Sequence, residues 1–522
     1  MTMRKTIFLL MAGLVLMLSG CDEDKFFELE RPNQYPWQSA AELEMAVRAP
    51  YLYFVGAAWS NPIGAITNRF GESDLAHFTG RTGDSYYYAY WDRLWETLVL
   101  ENSKELEGGF EYLYDMSTAC NAPLQMLLAA EREGKDPFAD MSDSDRALVK
   151  RIKGELLFMR AFTYWNLART WAPPYDSNGA NDTRHFVLYR DYVNDSEDLK
   201  NGELATVKEV YDSIVKDLQD AIAILPKSYY PGDNGQRMRV NKYAAEALLA
   251  RVLFYMGDFS GAKRYIDDVI AQKDLYSLKE EPYQAWNKVS GDGSGKEVIF
   301  EICYSSDSDR YDRNPGIMNY TAYNGNASKQ SGYCAFAMSY ASMEQVGWMT
   351  PAHEVTDEAR ADLRFKQLYK FSEGYGEPYI FLFKYFRSSS FNDGQRRANR
   401  PIIRLADLYL MRAEINWINN AKTKAADDVN VVRSRAGLSG IAASALTERD
   451  IENERIKEMA GENADRIYWL IALHKDIPIG DRDPAKFKPI KYPYSKYYYH
   501  IPLQERQTNN AYKPATELAY EN

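Results

Sequence analysis

The sequence predicts a mainly α protein, a scaffold of about four helical pairs interrupted by one loop-rich, irregular region that carries the ligand site. Three observations predict it. Apolar residues recur at three- and four-residue steps in several separate runs, Gly, Pro and Asp punctuate the breaks, and between Lys273 and Arg397 these stripes give way to Gly, Ser, Asn and Tyr. Loops of that composition sit on the surface of a rigid scaffold and commonly carry binding residues.

In chain order, Arg4 and Lys5 precede an uninterrupted apolar run of 12 residues, Ile7 to Leu18. As a helix that run rises about 18 Å, short of the ~30 Å hydrocarbon core, so residues 1–20 read as a secretory signal and not as a span. The ending Leu18-Ser19-Gly20-Cys21 resembles a bacterial lipobox, which implies that Cys21 becomes an acylated N-terminus anchored in the outer membrane. Asp22-Glu23-Asp24 resembles the surface-export signal of Bacteroidetes lipoproteins. Residues 21–36, with Pro32 and Pro36, form an extended tether, and residues 37–522 form one domain.

Within that domain the spacing predicts helices over Phe110–Glu131, Lys150–Trp171, Val207–Leu225, Asn241–Met256, from about Ser260, Ile403–Asn419 and Ala425–Arg435. Pro173-Pro174 stops the second. The first two form one pair, Val207–Leu225 lies with Asn241–Met256, and Ile403–Asn419 with Ala425–Arg435. Leu253 to Ala262 resembles the turn of a tetratricopeptide repeat, in which Gly257 reverses the chain, Phe259 plugs the gap between helices and Ala262 permits close approach. One such hairpin cannot bury its own faces, so the others stack on it. In the insert, about 273–397, Glu297–Tyr304 reads as a strand, too isolated to build a sheet from.

Charge and chemistry narrow the function. The net charge of -11 becomes -13 once Arg4 and Lys5 leave with the signal, and no basic stripe is present, so nucleic acid is not a partner. Beyond Cys21 the cysteines are Cys120, Cys303 and Cys334, too few for a disulfide framework. No phosphate loop or nucleophile elbow occurs, and His353-Glu354 lacks the second histidine of a zinc helix. His77, His185, His353, His474 and His500 are scattered as surface or packing residues. Asp307, Asp309 and Asp312 are the candidate ligands for a structural Ca2+, although Tyr311 stands where an EF-hand loop needs an oxygen; otherwise no cofactor is expected. A glycoside hydrolase needs two carboxylates at a set separation, and among 74 acidic residues no short motif concentrates the pair.

Aromatic residues are the ligand candidates, because flat rings stack on the C–H faces of sugars while a few polar groups hold the hydroxyls. With 40 Tyr and 10 Trp the chain is rich in them. Three clusters qualify: Tyr86, Tyr87, Tyr88, Tyr90, Trp91 and Trp95; Trp286 alone; and Tyr304, Tyr311, Tyr320, Tyr323 and Trp348. Trp91, Tyr320, Tyr323, Trp348, Tyr88 and Trp286 are the named site residues.

Longer motifs carry a resemblance. Gly154-Glu155, Arg160-Ala161-Phe162, Asn166-Leu167 and Trp171 resemble the RGEAxFLRAxxYxxLVxxWG helix of the SusD/RagB family of Bacteroidetes outer-membrane nutrient-binding lipoproteins. Ala413-Glu414 and Asn430 to Leu438 resemble its NxVRxRAGL helix, Ile451, Glu454, Arg455 and Glu458 its IxxERxxEL helix, and His500-Ile501-Pro502 with Asn509 its closing motif. The chain departs from the family at Gly461 to Arg466 and at Asn509-Asn510, where the C-terminal surface is expected to pack differently. The resemblance implies a non-catalytic glycan-binding lipoprotein that serves a SusC-like TonB-dependent transporter. Its RagB branch implies a peptide-binding lid instead, and a surface glycoside hydrolase is the alternative of another class. The motif arginines Arg160, Arg433, Arg435 and Arg455 read as packing residues, with Glu155, Glu414 and Glu454 as candidate partners.

Overall fold

A computed structural model describes residues 37–54, 75–77, 104–134, 140–176, 203–229, 237–278, 280–286, 295–302, 336–372, 378–384, 400–462, 465–494, 498 and 501–512. Cys21 and the tether, the Tyr86–Trp95 cluster, Asp307 to Asp312, Tyr320 and Tyr323 lie outside the described residues.

The elements in chain order are α1 (Ala40–Ala46), α2 (Arg48–Phe54), β1 (Leu75–His77), α3 (Lys104–Arg132), α4 (Asp143–Trp171), α5 (Val207–Ile224), α6 (Lys242–Tyr255), α7 (Phe259–Ala271) and β2 (Val298–Ile302). They continue with β3 (Phe336–Met338), α8 (Tyr340–Gln345), α9 (Asp357–Ala361), α10 (Leu363–Leu368), β4 (Tyr369–Ser372), β5 (Tyr379–Leu382) and β6 (Arg400–Arg404). Last come α11 (Leu405–Ile418), α12 (Lys422–Arg435), α13 (Glu448–Met459), α14 (Asp465–Ala472) and α15 (Leu503–Thr508). Every predicted helix forms. None among the described residues is long and apolar enough to cross a membrane.

Eight of these helices make the scaffold. From α3 to α7 each packs on its predecessor, α7 packs directly on α11, and α12 and α13 both pack on α11. The residues between α7 and α11 therefore leave the stack and return to it. Starts are set by side-chain caps. Thr206 and Glu209 form a reciprocal capping box on α5, Asn241 accepts from the Ala244 N–H at 2.9 Å, and Asp258 accepts from the Gly261 N–H at 2.8 Å. The tetratricopeptide-like turn has the anticipated parts. Gly257 has φ 80°, the Phe259 ring lies 5.2 Å from Phe254, and Ala262 is buried.

The second predicted helix is more deeply placed than its stripe suggested. From Gly154 to Trp171 every residue of α4 is buried, which makes it the central helix rather than a helix with one buried face. Its polar residues are satisfied internally. Arg160 grips Asp217 of α5 with two bonds of 2.7 Å and reaches Asn121 of α3 at 3.2 Å, so one guanidinium joins three helices. Its partner is thus Asp217 and not Glu155, whose carboxylate instead binds Tyr51 at 2.6 Å and Arg239 at 2.8 Å.

Among the described residues three two-stranded antiparallel sheets each include a strand of the insert. β2 confirms the isolated strand and finds its partner in β6, whose Arg-Pro-Ile-Ile-Arg run begins the segment read as helix from Ile403. Helical spacing counted Ile403 with α11, but pairing with β2 takes the chain through Arg404 before the helix begins. β4 pairs with β5, and β1 with β3.

Candidate functional site

The structure corrects two of the proposed binding residues. Trp348, 0% exposed, sits between Phe365 and Tyr369 with ring centroids 5.4 and 4.9 Å away, both edge-on. Trp286, 1% exposed, has the Arg404 guanidinium 4.8 Å and the Lys384 ammonium 5.4 Å from its ring centroid. Neither offers a face to a sugar. Sequence context placed both in loops, whereas tight turns fold each ring back into the core.

Those two cations belong to a buried network absent from the sequence reading. Arg404 donates to Glu297 at 2.7 Å, Glu458 at 2.9 Å and Glu462 at 2.8 Å. Arg435 of α12 bonds Glu297 at 2.7 Å and also Glu458, Lys384 bonds Glu462 at 2.7 Å, and Arg364 pairs with Asp362 and with Glu454, each at 2.7 Å. Burial alone would raise the Glu458 carboxyl, but Arg435, Arg404, Arg364 and Lys384 hold it well below the usual carboxylate range. Glu297, Arg364 and Lys384 come from the insert, and Arg435, Glu454 and Glu458 from the scaffold. The network fastens one to the other. Glu462 lies in the segment where the chain departs from the family pattern, so that departure is a buried structural contact.

The motif arginines behave as packing residues. Arg433 pairs with Glu454 at 2.9 Å, as anticipated, and Arg455 bridges Asp407 of α11, at 2.6 Å, to Asp465 of α14. Glu414 receives none of them. Burial pushes Cys120 far up as an inert thiol.

The feature of the described residues that bears on a ligand is the β1–β3 ribbon. Its register sets Ala76 opposite Ala337 and His77 opposite Phe336. The chain leaves β1 and enters β3 at the same end of the ribbon, and the two aromatic segments belong to the stretches 78–103 and 303–335, which lie outside the described residues. Beside it stands a half-buried aromatic group that sequence reasoning missed. The Tyr340 and His353 rings are parallel, 3.5 Å apart, and Tyr379 lies 5.5 Å from Tyr340. Ala337 of β3 packs against Phe381 and Tyr379 of β5.

Tyr340 is held from several directions. Its hydroxyl donates to the Pro378 carbonyl at 2.9 Å, and the backbone N–H groups of Tyr340 and Ala341 donate to Asp481 at 2.8 and 2.9 Å. His353 has φ 61°, a left-handed conformation uncommon for a residue with a side chain, which brings its ring over Tyr340. A fixed, partly open aromatic surface beside polar groups can stack a sugar ring or an apolar side chain. Tyr379 opens the continuous apolar run Tyr-Ile-Phe-Leu of β5, which signals a buried strand and not a site. Nothing local marks His353. Among the described residues no group of three His, Cys, Asp or Glu is placed to hold a metal ion.

Comparisons with known proteins bear on the fold. Residues 78–254 match a SusD-like family described as starch-binding and associating with the outer membrane, and residues 366–469 match the SusD family. A SusD-like protein, P2, of Formosa agariphila is 25% identical over 316 residues; the match covers 58% of this chain and 59% of that protein's length. A SusD superfamily protein from Bacteroides thetaiotaomicron superposes with a TM-score of 0.70 at 20% identity, over 91% of this chain and 98% of that one. Another from Bacteroides vulgatus gives 0.67 at 22%, over 91% and 99%. Surface glycan-binding protein A of Bacteroides thetaiotaomicron, solved with laminarihexaose, gives 0.66 at 18%, over 90% and 98%. At these identities the structural likeness shows a shared fold.

Proposed function

This chain is a SusD/RagB-family protein, and on that premise we propose that it captures an oligosaccharide at the cell surface and passes it, chemically unchanged, to a SusC-like TonB-dependent transporter. The observation that supports the reading is the half-buried group of Tyr340, His353 and Tyr379 beside the β1–β3 ribbon. A sugar ring stacks on an aromatic face beside polar groups, and this group supplies such a face. That a protein of the same fold was solved with laminarihexaose supports a glycan over the peptide alternative.

Isothermal titration against a glycan array hit tests the reading. Trp91→Ala, Tyr320→Ala, Tyr323→Ala and Tyr340→Ala are each expected to weaken binding, the best-placed platform by about 1–3 kcal/mol, or roughly tenfold to a hundredfold and more, with little change in melting temperature for the first three and a lowered one for Tyr340→Ala, which also loses its stacking on His353 and its bond to the Pro378 carbonyl. Unchanged affinity in all four variants places the site elsewhere. A peptide, not a glycan, among the array hits favours the RagB-like reading, and shortened glycan products favour a hydrolase.

The proposed anchor is Cys21, with the acyl chains holding the protein in the outer membrane. Cys21→Ala is expected to move the protein from the detergent phase to the aqueous phase, and an unmodified N-terminal mass in the wild type contradicts it.

A further inference from the structure

Where α4, α6, α11, α13 and α14 meet lies a small cavity of about 40 Å3, lined among others by Trp165, Arg169, Arg251, Arg455, Asp465 and Tyr468. Arg169 of α4 is 5% exposed, and its guanidinium packs against two rings, with the Trp165 centroid 4.1 Å and the Tyr468 centroid 4.2 Å from its central carbon. Its Nε and Nη2 both donate to the Oδ1 of Asn166, an uncharged acceptor, the first at 3.0 Å. Nη1, with two N–H groups, has no hydrogen-bond partner among the described residues; unlike the ring nitrogens of Trp165 and Trp469 it is not sealed from water. Arg251 of α6 is in the same state. Its Nε donates to Asp407 at 2.6 Å and its Nη1 to the Ile402 carbonyl at 2.7 Å, which leaves Nη2 unpartnered among the described residues and also open to water.

The carboxylates nearby are committed. Asp407 is shared by Arg251 and Arg455, Asp465 pairs with Arg455, and Glu462 in the cavity wall is held by Arg404 and Lys384. Farther out, Glu414, Glu448 and Glu452 stand against Lys475, Arg466 and Arg449, three charges against three. Arg169, Arg251 and Arg455 therefore share two carboxylates, Asp407 and Asp465, and Arg169 makes no ion pair among the described residues. A buried cation without a counter-charge is costly, because nothing replaces the hydration it has lost. Burial above all, with Arg251 adding to it and the Tyr468, Tyr211 and Tyr255 hydroxyls opposing, pushes the Arg169 guanidinium down to about 10, so at neutral pH it keeps its charge.

We propose that this cavity binds a small monovalent anion, a halide or the carboxylate of a short acid, held by the unused nitrogens of Arg169 and Arg251. The space admits a few atoms and is far too small for a sugar unit. Charge-assisted N–H bonds to an anion are the strong kind, and here they replace the partner that Asn166 cannot be. The ion joins α4 to α6 in the middle of the stack, so its binding is read as stability.

The test measures melting temperature in sodium chloride and in sodium formate at constant ionic strength, with sodium gluconate making up the balance because its anion is too large for the cavity. Chloride is expected to raise the wild-type melting temperature by roughly 1–2 °C for each tenfold increase above its Kd. A larger rise with formate identifies a carboxylate as the better occupant. Arg169→Met keeps a long side chain against the Trp165 and Tyr468 rings and is expected to lose the dependence on either anion. Crystals soaked in sodium bromide give a readout that needs no variant: anomalous density is expected beside Nη1 of Arg169 and Nη2 of Arg251. A melting temperature that is the same in chloride, formate and gluconate, an undiminished effect in Arg169→Met, or bromide found only at the protein surface each overturns the proposal. Glycan stacking on Tyr340 uses none of these groups, so a failed glycan titration leaves the result standing.

Discussion

Arg404→Ala is expected to cost about 3–5 kcal/mol of stability, because it leaves Glu297, Glu458 and Glu462 buried around a missing charge. The loss should be concentrated where the insert joins the scaffold. Limited proteolysis is expected to cut the variant between residues 303 and 399 before the helical stack opens, and urea unfolding should show a separate early transition. The effect also has a pH signature. Glu458 is depressed in the folded protein, so its contribution is present above the ordinary carboxylate value and lost as pH falls through the folded one. Wild type and variant should therefore begin to converge in stability as pH falls below about 4 and meet only well below it. A variant that unfolds with the wild type at pH 7 would show that the network is dispensable.

Trp348→Ala is expected to lose about 3–5 kcal/mol through the cavity left between Phe365 and Tyr369, with glycan affinity unchanged in the protein that remains folded. Trp286→Ala should lose a similar amount, since the ring that Arg404 and Lys384 lie against disappears with it. The pair Trp286→Ala with Arg404→Ala is expected to cost less than the two singles together, because both disturb one contact. Calorimetry and titration on the same samples check this. A Trp348 variant with normal stability and lost affinity would return that residue to the binding surface.

The aromatic residues show where reading a sequence reaches its limit. Trp91, Tyr320 and Trp348 looked alike because each lies in a stretch rich in loop-forming or aromatic neighbours, and composition says which residues can stack but not which ones face outward. Trp348 follows Gly347, whose φ of 75° turns the chain back toward the core. Arg404 illustrates the converse. As a charged residue beside a helix start it reads as solvated, and only three carboxylates arriving from distant segments account for its burial. The partner of Arg160 is 57 positions away on another helix, beyond what i,i+4 spacing can indicate.

By itself the sequence determined the helices and their ends, the tetratricopeptide-like turn, the family and the position of the insert, since these depend on local periodicity, caps and short motifs that each segment carries with it. The tertiary structure alone decided that Trp286 and Trp348 are core, which carboxylates neutralise the buried arginines, and that Tyr340, His353 and Tyr379 form one aromatic group. The physical reason is that burial and charge pairing belong to the space between segments. A residue far along the chain can supply the missing charge or the covering ring, and no pattern within one segment records that it will arrive.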